Sequence, residues 1–212
     1  MKKFLVDNRA FILILLGMVF FRTAVADWSP VPSGSMEPTI WPGDVLLINK
    51  TLLGPNVPFT EGRLAQYRQP ARGDIVTLTP PGKTDTYVKR VVGLPGDRIR
   101  MSGMQLVIND KAVPLQITDK GESTGILRAT EQLGEHSHGI QIDLHLVIPG
   151  IDDELTVPAD SYFVMGDFRN NSEDSRFFGF VNKDRLIGKV TRIAVSVADE
   201  RKWLSAPLQK LD

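Results

Sequence analysis

Cysteine is absent from all 212 residues. Disulfides, thiolate nucleophiles and cysteine-built zinc sites are therefore excluded, while the redox compartment stays open. Net charge is also lacking, since 25 Lys and Arg balance 25 Asp and Glu. That balance removes the bulk electrostatic case for a nucleic-acid partner. Histidine is scarce, and the three present fall at 136, 138 and 145. Long stretches of 3.6-residue periodicity are missing, which argues against a helical domain. Charged residues make up 24% and hydrophobic ones 42%, so neither wholesale disorder nor a polytopic membrane protein fits. The length suits one good-sized domain, alone or with an appendage, and a real core.

What is present is unevenly arranged. After Met1-Lys2-Lys3 comes an uncharged run from Ala10 to Phe21, followed by Arg22. Two readings compete. Ala24-Val25-Ala26 fits the small-x-small cleavage pattern of a removable signal peptide. Alternatively, the run is a retained anchor. It is short for a span of about 20 residues, but reaches from Phe4 or Leu5 to Trp28 if Arg22 snorkels and Trp28 sits in the aromatic belt. Either way Lys2, Lys3 and Arg9 outweigh Asp7 on the leading side, which sends the remainder across the membrane.

Beyond a Pro- and Ser-rich connector at 29–35, short strands are expected at 45–49, 75–79, 86–92, 98–101, 105–108, 140–148, 162–165 and 189–197. This predicts a mainly β domain. Gly-Asp recurs at 43–44, 73–74, 96–97 and 166–167, with irregular spacing. Turn chemistry explains it better than a repeat: glycine supplies the unusual dihedrals and aspartate caps the turn. Residues 54–72 read as a loop and 119–139 as a polar excursion. From Glu131 to Asp160 there are acids but no Lys or Arg, which reads as a solvated face, and the stretch from Lys183 to Lys202 is basic. His136 and His138 sit in that excursion without ligand-spaced carboxylates, so no metal is expected, and no histidine lies near a nucleophile-like motif.

Three segments offer chemistry. Pro32-Ser33-Gly34-Ser35-Met36-Glu37-Pro38-Thr39-Ile40 is either a linker or a sharp turn presenting a hydroxyl with free backbone N–H groups. In Thr86–Asp97, strand alternation puts Tyr87, Lys89 and Val91 on one face. Val88, Arg90 and Val92 take the other, where Arg90 reaches solvent or a carboxylate. A lysine flanked by aromatic and aliphatic neighbours is either a snorkelling residue or a base. Lowering its pKa from about 10.4 to near 8 costs roughly 3 kcal/mol, and the neutral amine so obtained activates a serine hydroxyl. The third segment runs from Gly166 to Gly179. It is either a hydrogen-bonded loop or a loop that orients the lysine and is fixed by a carboxylate–guanidinium pair.

Together these segments resemble the type I signal peptidases, membrane-bound Ser/Lys endopeptidases that remove leader peptides from exported proteins. The likeness rests on Ser-Gly-Ser-Met-x-Pro-Thr at 33–39, Tyr-Val-Lys-Arg-Val-Val-Gly-Leu-Pro-Gly-Asp at 87–97 and Gly166–Arg176, in the family's order. It implies antiparallel β-sheets preceded by one N-terminal transmembrane helix. Residues 1–28 would be the cytoplasmic end and anchor, 29–212 the catalytic domain, and about 102–160 a smaller non-catalytic subdomain. By resemblance Ser35 is the nucleophile and Lys89 the general base. Ser33 and the Ser35 N–H serve the oxyanion, Ser172 orients the amine, and Asp174 and Arg176 form a supporting pair. Val31, Ile40, Tyr87 and Val88 line shallow pockets for small residues.

The resemblance further implies a monomer in the bacterial inner membrane, single-pass, with its catalytic domain on the periplasmic side. Its partners are the bilayer and signal-peptide-bearing precursors, cut at Ala-x-Ala sites, and it needs no cofactor. Arg22 then ends the anchor, and Ala24-Val25-Ala26 is a decoy. Phe168 and Asn170 depart from the family loop, Gly-Asp-Asn-Arg-Asp-Asn-Ser, at two polar positions. A dedicated peptidase maturing pilin or conjugation proteins is the alternative, and a non-catalytic anchored binding domain comes from a different class. A self-cleaving repressor with this fold would need a DNA-binding head instead of the anchor.

Overall fold

The computed structural model describes residues 7–53, 68–196 and 209–211. Lys2, Lys3 and most of the 54–72 loop lie outside the described residues, as do Val197 and the rest of the basic stretch beyond it.

The apolar run forms helix α1 (Arg9–Phe20), continued by a wider turn over Phe21–Val25. Phe11, Leu13, Ile14, Leu15, Leu16 and Met18 are all exposed on it. Among the described residues no helix is long and apolar enough to cross a membrane. Part of the expected connector is instead strand β1 (Ala26–Pro30), paired along its length with β2 (Val45–Asn49). Lys50 fastens this junction, donating from Nζ to Asp27 at 2.9 Å and to the Arg22 carbonyl at 3.1 Å. The Arg22 guanidinium bonds Asp27 at 3.2 Å and lies over the Trp28 ring.

The remaining strands are β3 (Ile75–Leu78), β4 (Tyr87–Gly93), β5 (Arg98–Ser102), β6 (Gln105–Ile108), β7 (Lys111–Ala112), β8 (Leu115–Asp119), β9 (Ile126–Leu133), β10 (His136–Asp143), β11 (Ile151–Thr156), β12 (Ser161–Met165), β13 (Val181–Asn182), β14 (Leu186–Val195) and β15 (Gln209–Lys210). Among the described residues they make a main sheet in the order β1-β2-β14-β3-β4-β12-β13, with β15 beside β14, and two smaller sheets, β10-β9-β8 and β11-β5-β6-β7. All these ladders are antiparallel, so the mainly β expectation holds. β4 runs between β3 and β12, with Lys89 opposite Val76 and Arg90 opposite Met165.

Three of the four Gly-Asp pairs are the same turn. Gly43, Gly73 and Gly96 have φ near +90°, the region glycine enters without Cβ strain. Asp44, Asp74 and Asp97 each accept the backbone N–H three residues back, from Trp41, Ala71 and Leu94. The fourth pair, Gly166-Asp167, belongs to the site below.

Three expectations are corrected. The excursion at 119–139 contains most of the β9–β10 hairpin, and the strand expected at 140–148 covers 136–143. Burial alternates along β9, with Leu127, Ala129, Glu131 and Leu133 inward. The inward set of β10 includes His138, Ile140 and Gln141. Polar residues on an inward face hide the apolar alternation by which strands are recognised. For the same reason 131–160 is not a uniformly solvated face: Glu131 is 1% exposed. Its neutralising arginine, Arg169, lies 38 residues away, beyond any local charge count.

Candidate active site

The segment Pro32–Ile40 is a compact turn that crosses the main sheet. Glu37 N–H bonds the Gly34 carbonyl, and Thr39 and Ile40 N–H both bond that of Met36. Met36 and Ile40 are 1% and 0% exposed and join Val31, Leu46, Ile48, Ile75, Val190 and Ile193 in one cluster. Burying Val31 and Met36 on either side of them leaves Ser33 and Ser35 on the outer side of the turn. Ser33 and Ser35 therefore face a cleft, and the Ser33 hydroxyl donates to Ser35 Oγ at 3.5 Å.

Lys89 comes to the same place from the centre of β4. It is 3% exposed, and its Nζ stands 2.7 Å from Ser35 Oγ and 5.4 Å from the centre of the Tyr87 ring. Burial strips water from the ammonium and brings its pKa down to about 8. Asp174, Asp167 and Glu173 oppose this electrostatically but do not outweigh it. An amine so poised is half neutral near that pH and within proton-transfer distance of a hydroxyl.

The loop after β12 supports both groups. Gly166 lies directly beneath the turn: a Cβ there would collide with the Ser35 carbonyl and with Ser172. Phe168 N–H donates to the Ser35 carbonyl at 3.2 Å. Asp174 and Arg176 are fully buried and doubly bonded, at 2.8 and 2.7 Å. Asp174 also accepts the Gly166 and Arg176 N–H groups, and Arg176 bonds the Arg169 carbonyl. Ser172 is 7% exposed beside Gly166, and its hydroxyl makes no hydrogen bond. It adjoins the site but does not touch the lysine amine by a bond.

A cleft of about 600 Å³ opens over the Ser35–Lys89 pair, lined by Val31, Ser33, Met36, Tyr87, Val88, Asp85, Asn171 and Glu173 among others. Ile40 is not on its wall; it lies in the core beneath. One rim is polar. Lys83 Nζ donates to Tyr87 Oη at 2.9 Å and to both Glu173 oxygens at 2.6 and 2.5 Å, and Tyr87 Oη donates to Glu173 at 2.9 Å. These bonds hold the Glu173 carboxyl below its ordinary range.

Arg90 reaches a carboxylate, not solvent. At 2% exposure it binds Asp167 through Nε and a terminal nitrogen, at 2.8 and 2.7 Å. Burial alone would raise the Asp167 pKa, but the Arg90 charge and bonds hold it down. Thr39 also donates to Asp167. Behind this pair stands a second, Arg169–Glu131, again doubly bonded and buried. His138 lies between them, 3.4 Å from Glu131 and 3.8 Å from Asp167, with neither ring nitrogen hydrogen-bonded.

Sequence reasoning missed Thr39, Glu131, His138, Gln141 and Asp167 as a support layer. Gly166-Asp167 beside a buried-strand Arg90 was the available signal for one pair. Nothing local marked Glu131, His138 or Gln141.

A family model described as "Signal peptidase, peptidase S26" matches residues 4–195. The signal peptidase I of Pseudomonas aeruginosa is 32% identical over an alignment covering 92% of this chain and 73% of that protein. That of Pseudomonas fluorescens is 31% identical, covering 96% and 74%, and that of Haemophilus influenzae 29% identical, covering 89% and 69%. With nearly its whole length matched, this chain belongs to the signal peptidase family, peptidase S26.

Proposed function

We propose that this chain is a signal peptidase I: a membrane-anchored serine endopeptidase that removes N-terminal leader peptides from exported precursors after small residues. The observation that carries the reading is the 2.7 Å approach of the Lys89 amine to the Ser35 hydroxyl, with the amine buried and its pKa lowered to about 8.

Neutral Lys89 takes the Ser35 proton as Oγ attacks the scissile carbonyl. The Oγ–C bond forms, the carbonyl electrons move to oxygen, and Ser33 Oγ–H with the Ser35 N–H stabilises that oxyanion. On collapse the peptide C–N bond breaks, the leaving amine takes the proton from Lys89, and an acyl-enzyme remains. Lys89 then deprotonates a water, which attacks the ester and frees Ser35. We assign Ser172, packed beside Gly166, the orienting of the Lys89 amine, while Asp174–Arg176 fixes the loop that carries Ser172. Val31, Val88 and the Tyr87 ring line the cleft, and we place there the small side chains that precede the cut.

Helix α1 is the bilayer anchor of the inner membrane. Its 12 residues span only about 18 Å, and the Phe21–Val25 turn extends it toward the roughly 30 Å required. Exposed apolar side chains, and the Arg22–Trp28 stack at its trailing end, favour this placement. The catalytic β-domain follows on the periplasmic side.

The test is direct. The detergent-solubilised chain is incubated with an exported precursor whose leader ends in Ala-x-Ala, and the new N-terminus of the product is sequenced. Cleavage after the second alanine is expected, and none with Ser35→Ala or Lys89→Ala. Equal cleavage by either variant would overturn the reading.

A further inference from the structure

The β9–β10 hairpin touches the turn that carries Ser35 as well as the loop that carries Ser172, and one residue makes contact with both. Gln141 is 3% exposed. Its backbone N–H donates to the Asp167 carbonyl at 3.0 Å and its own carbonyl accepts from Arg169 N–H at 2.9 Å, a parallel bridge centred on Phe168. Phe168 N–H in turn holds the Ser35 carbonyl. The Gln141 side chain extends the other way and donates from Nε2 to Glu37 Oε2 at 2.9 Å. Glu37 is two residues beyond Ser35. Two positions away along β10, Gly139 faces Pro38 so closely that a Cβ would press on the proline ring.

Asn170 locks the far end of the hairpin. Its side chain accepts Asp143 N–H at 2.9 Å and donates to the Asp143 and Leu146 carbonyls at 2.7 and 3.0 Å. Phe168 is 8% exposed. The two residues that depart from the family's loop thus face the hairpin and the interior, not the cleft.

We infer that Gln141 is a positioning residue for the Ser35–Lys89 pair, with its side-chain amide tying the nucleophile turn, through Glu37, to the loop behind it. A rigid turn matters here because the proton must pass between Ser35 and Lys89. A displacement of about 1 Å from the reactive geometry costs on the order of a hundredfold in rate. The backbone bonds of Gln141 survive its replacement by leucine or asparagine, so only the tie to Glu37 is lost. Ground-state binding in the cleft does not involve Gln141, so the effect falls on kcat. The inference rests on the peptidase reading above.

The experiment is a mutant cycle on the full-length protein in detergent, scored by steady-state cleavage of the precursor and by thermal midpoint. Gln141→Leu should lower kcat tenfold or more with KM within twofold and the acid limb of the rate profile still near pH 8. Glu37→Leu should lower kcat at least as far, and the double variant should be no slower than Glu37→Leu alone. Glu37→Gln, whose amide oxygen still accepts from Gln141, should keep kcat within about threefold of wild type. If Gln141→Leu fails to fold, Gln141→Asn replaces it, retaining the amide but falling short of Glu37. Unchanged kcat in the folded variant, a change in KM alone, or multiplicative losses in the double variant would each overturn the inference. A wild-type chain that cuts no precursor would instead remove the peptidase reading itself.

Discussion

The Lys89 amine stands 2.7 Å from the Ser35 hydroxyl at the centre of a strand, buried on all sides but the cleft. Burial is the main cause of its lowered pKa of about 8. Only the neutral amine accepts a proton, so kcat/KM should rise tenfold per pH unit below that value and level off above it. A pH–rate profile on a single precursor checks this. A flat profile between pH 6 and 9 would contradict Lys89 as the base.

The same shift makes Lys89 costly to the fold. Folded, it titrates at about 8; unfolded, near 10.5. Below pH 8 both states are protonated and the penalty of about 3 kcal/mol is fully present. Between 8 and 10.5 only the unfolded state binds the proton, so stability climbs with pH. Lys89→Met should therefore be inactive yet more stable at pH 7 by about 2 kcal/mol after loss of one hydrogen bond. Urea unfolding at pH 7 and pH 10 should show that advantage shrinking. An equal difference at both values would refute it.

Ser33 offers a cleaner separation of chemistry from folding. It is exposed and donates only a long bond to Ser35. Ser33→Ala should leave the thermal midpoint in place and cut kcat by about 10²–10³, with KM little changed, as for loss of one oxyanion donor. A larger effect on KM than on kcat would assign Ser33 to ground-state binding instead.

Asp174 and Arg176 have no solvent-exposed side-chain surface. Removing one partner leaves a buried, uncompensated charge, which costs about 3–5 kcal/mol. Arg176→Met should show a loss of that size in chemical denaturation. Adding Asp174→Asn should recover part of it, because the amide oxygen still caps Gly166 N–H while the stranded charge is gone. A double variant weaker than Arg176→Met alone would show that the caps, not the charges, dominate.

What was legible in the sequence follows from range. The Gly-Asp turns are local: glycine and aspartate adjoin, and the bond spans three residues, so β2, β3 and β5 were placed closely. Ser35 and Lys89 were named from their motifs, but nothing local says that a turn and a strand 54 residues apart meet at bonding distance. The support layer was invisible for a sharper reason. His138 and Gln141 occupy buried positions of a strand with polar side chains, and their neighbours arrive from β4, the loop after β12 and the turn that carries Ser35. Ile40 shows the converse error. A residue assigned to the cleft by analogy packs beneath it, because Met36 and Ile40 both point into the core from one turn.

His138 makes this layer acid-sensitive. It faces Arg90 on β4, Glu131 on β9, and Asp167 and Arg169 on the loop after β12. Burial, then the Arg90 charge, lowers its pKa to about 4 against the pull of both carboxylates. An unfolded histidine titrates near 6.5. Between pH 6.5 and 4 the unfolded chain thus binds a proton that the folded one refuses, and stability drops as pH falls through that window. The total loss is about 3 kcal/mol. With His138 neutral, the two arginines and two carboxylates balance; a fifth charge finds no partner of its own. His138→Gln removes the titration and keeps a polar side chain in the gap. Unfolding free energies at pH 6.5, 5.5 and 4.5 should therefore fall less steeply in the variant, by up to one proton's slope. Identical slopes would show that acid sensitivity resides in the carboxylates alone.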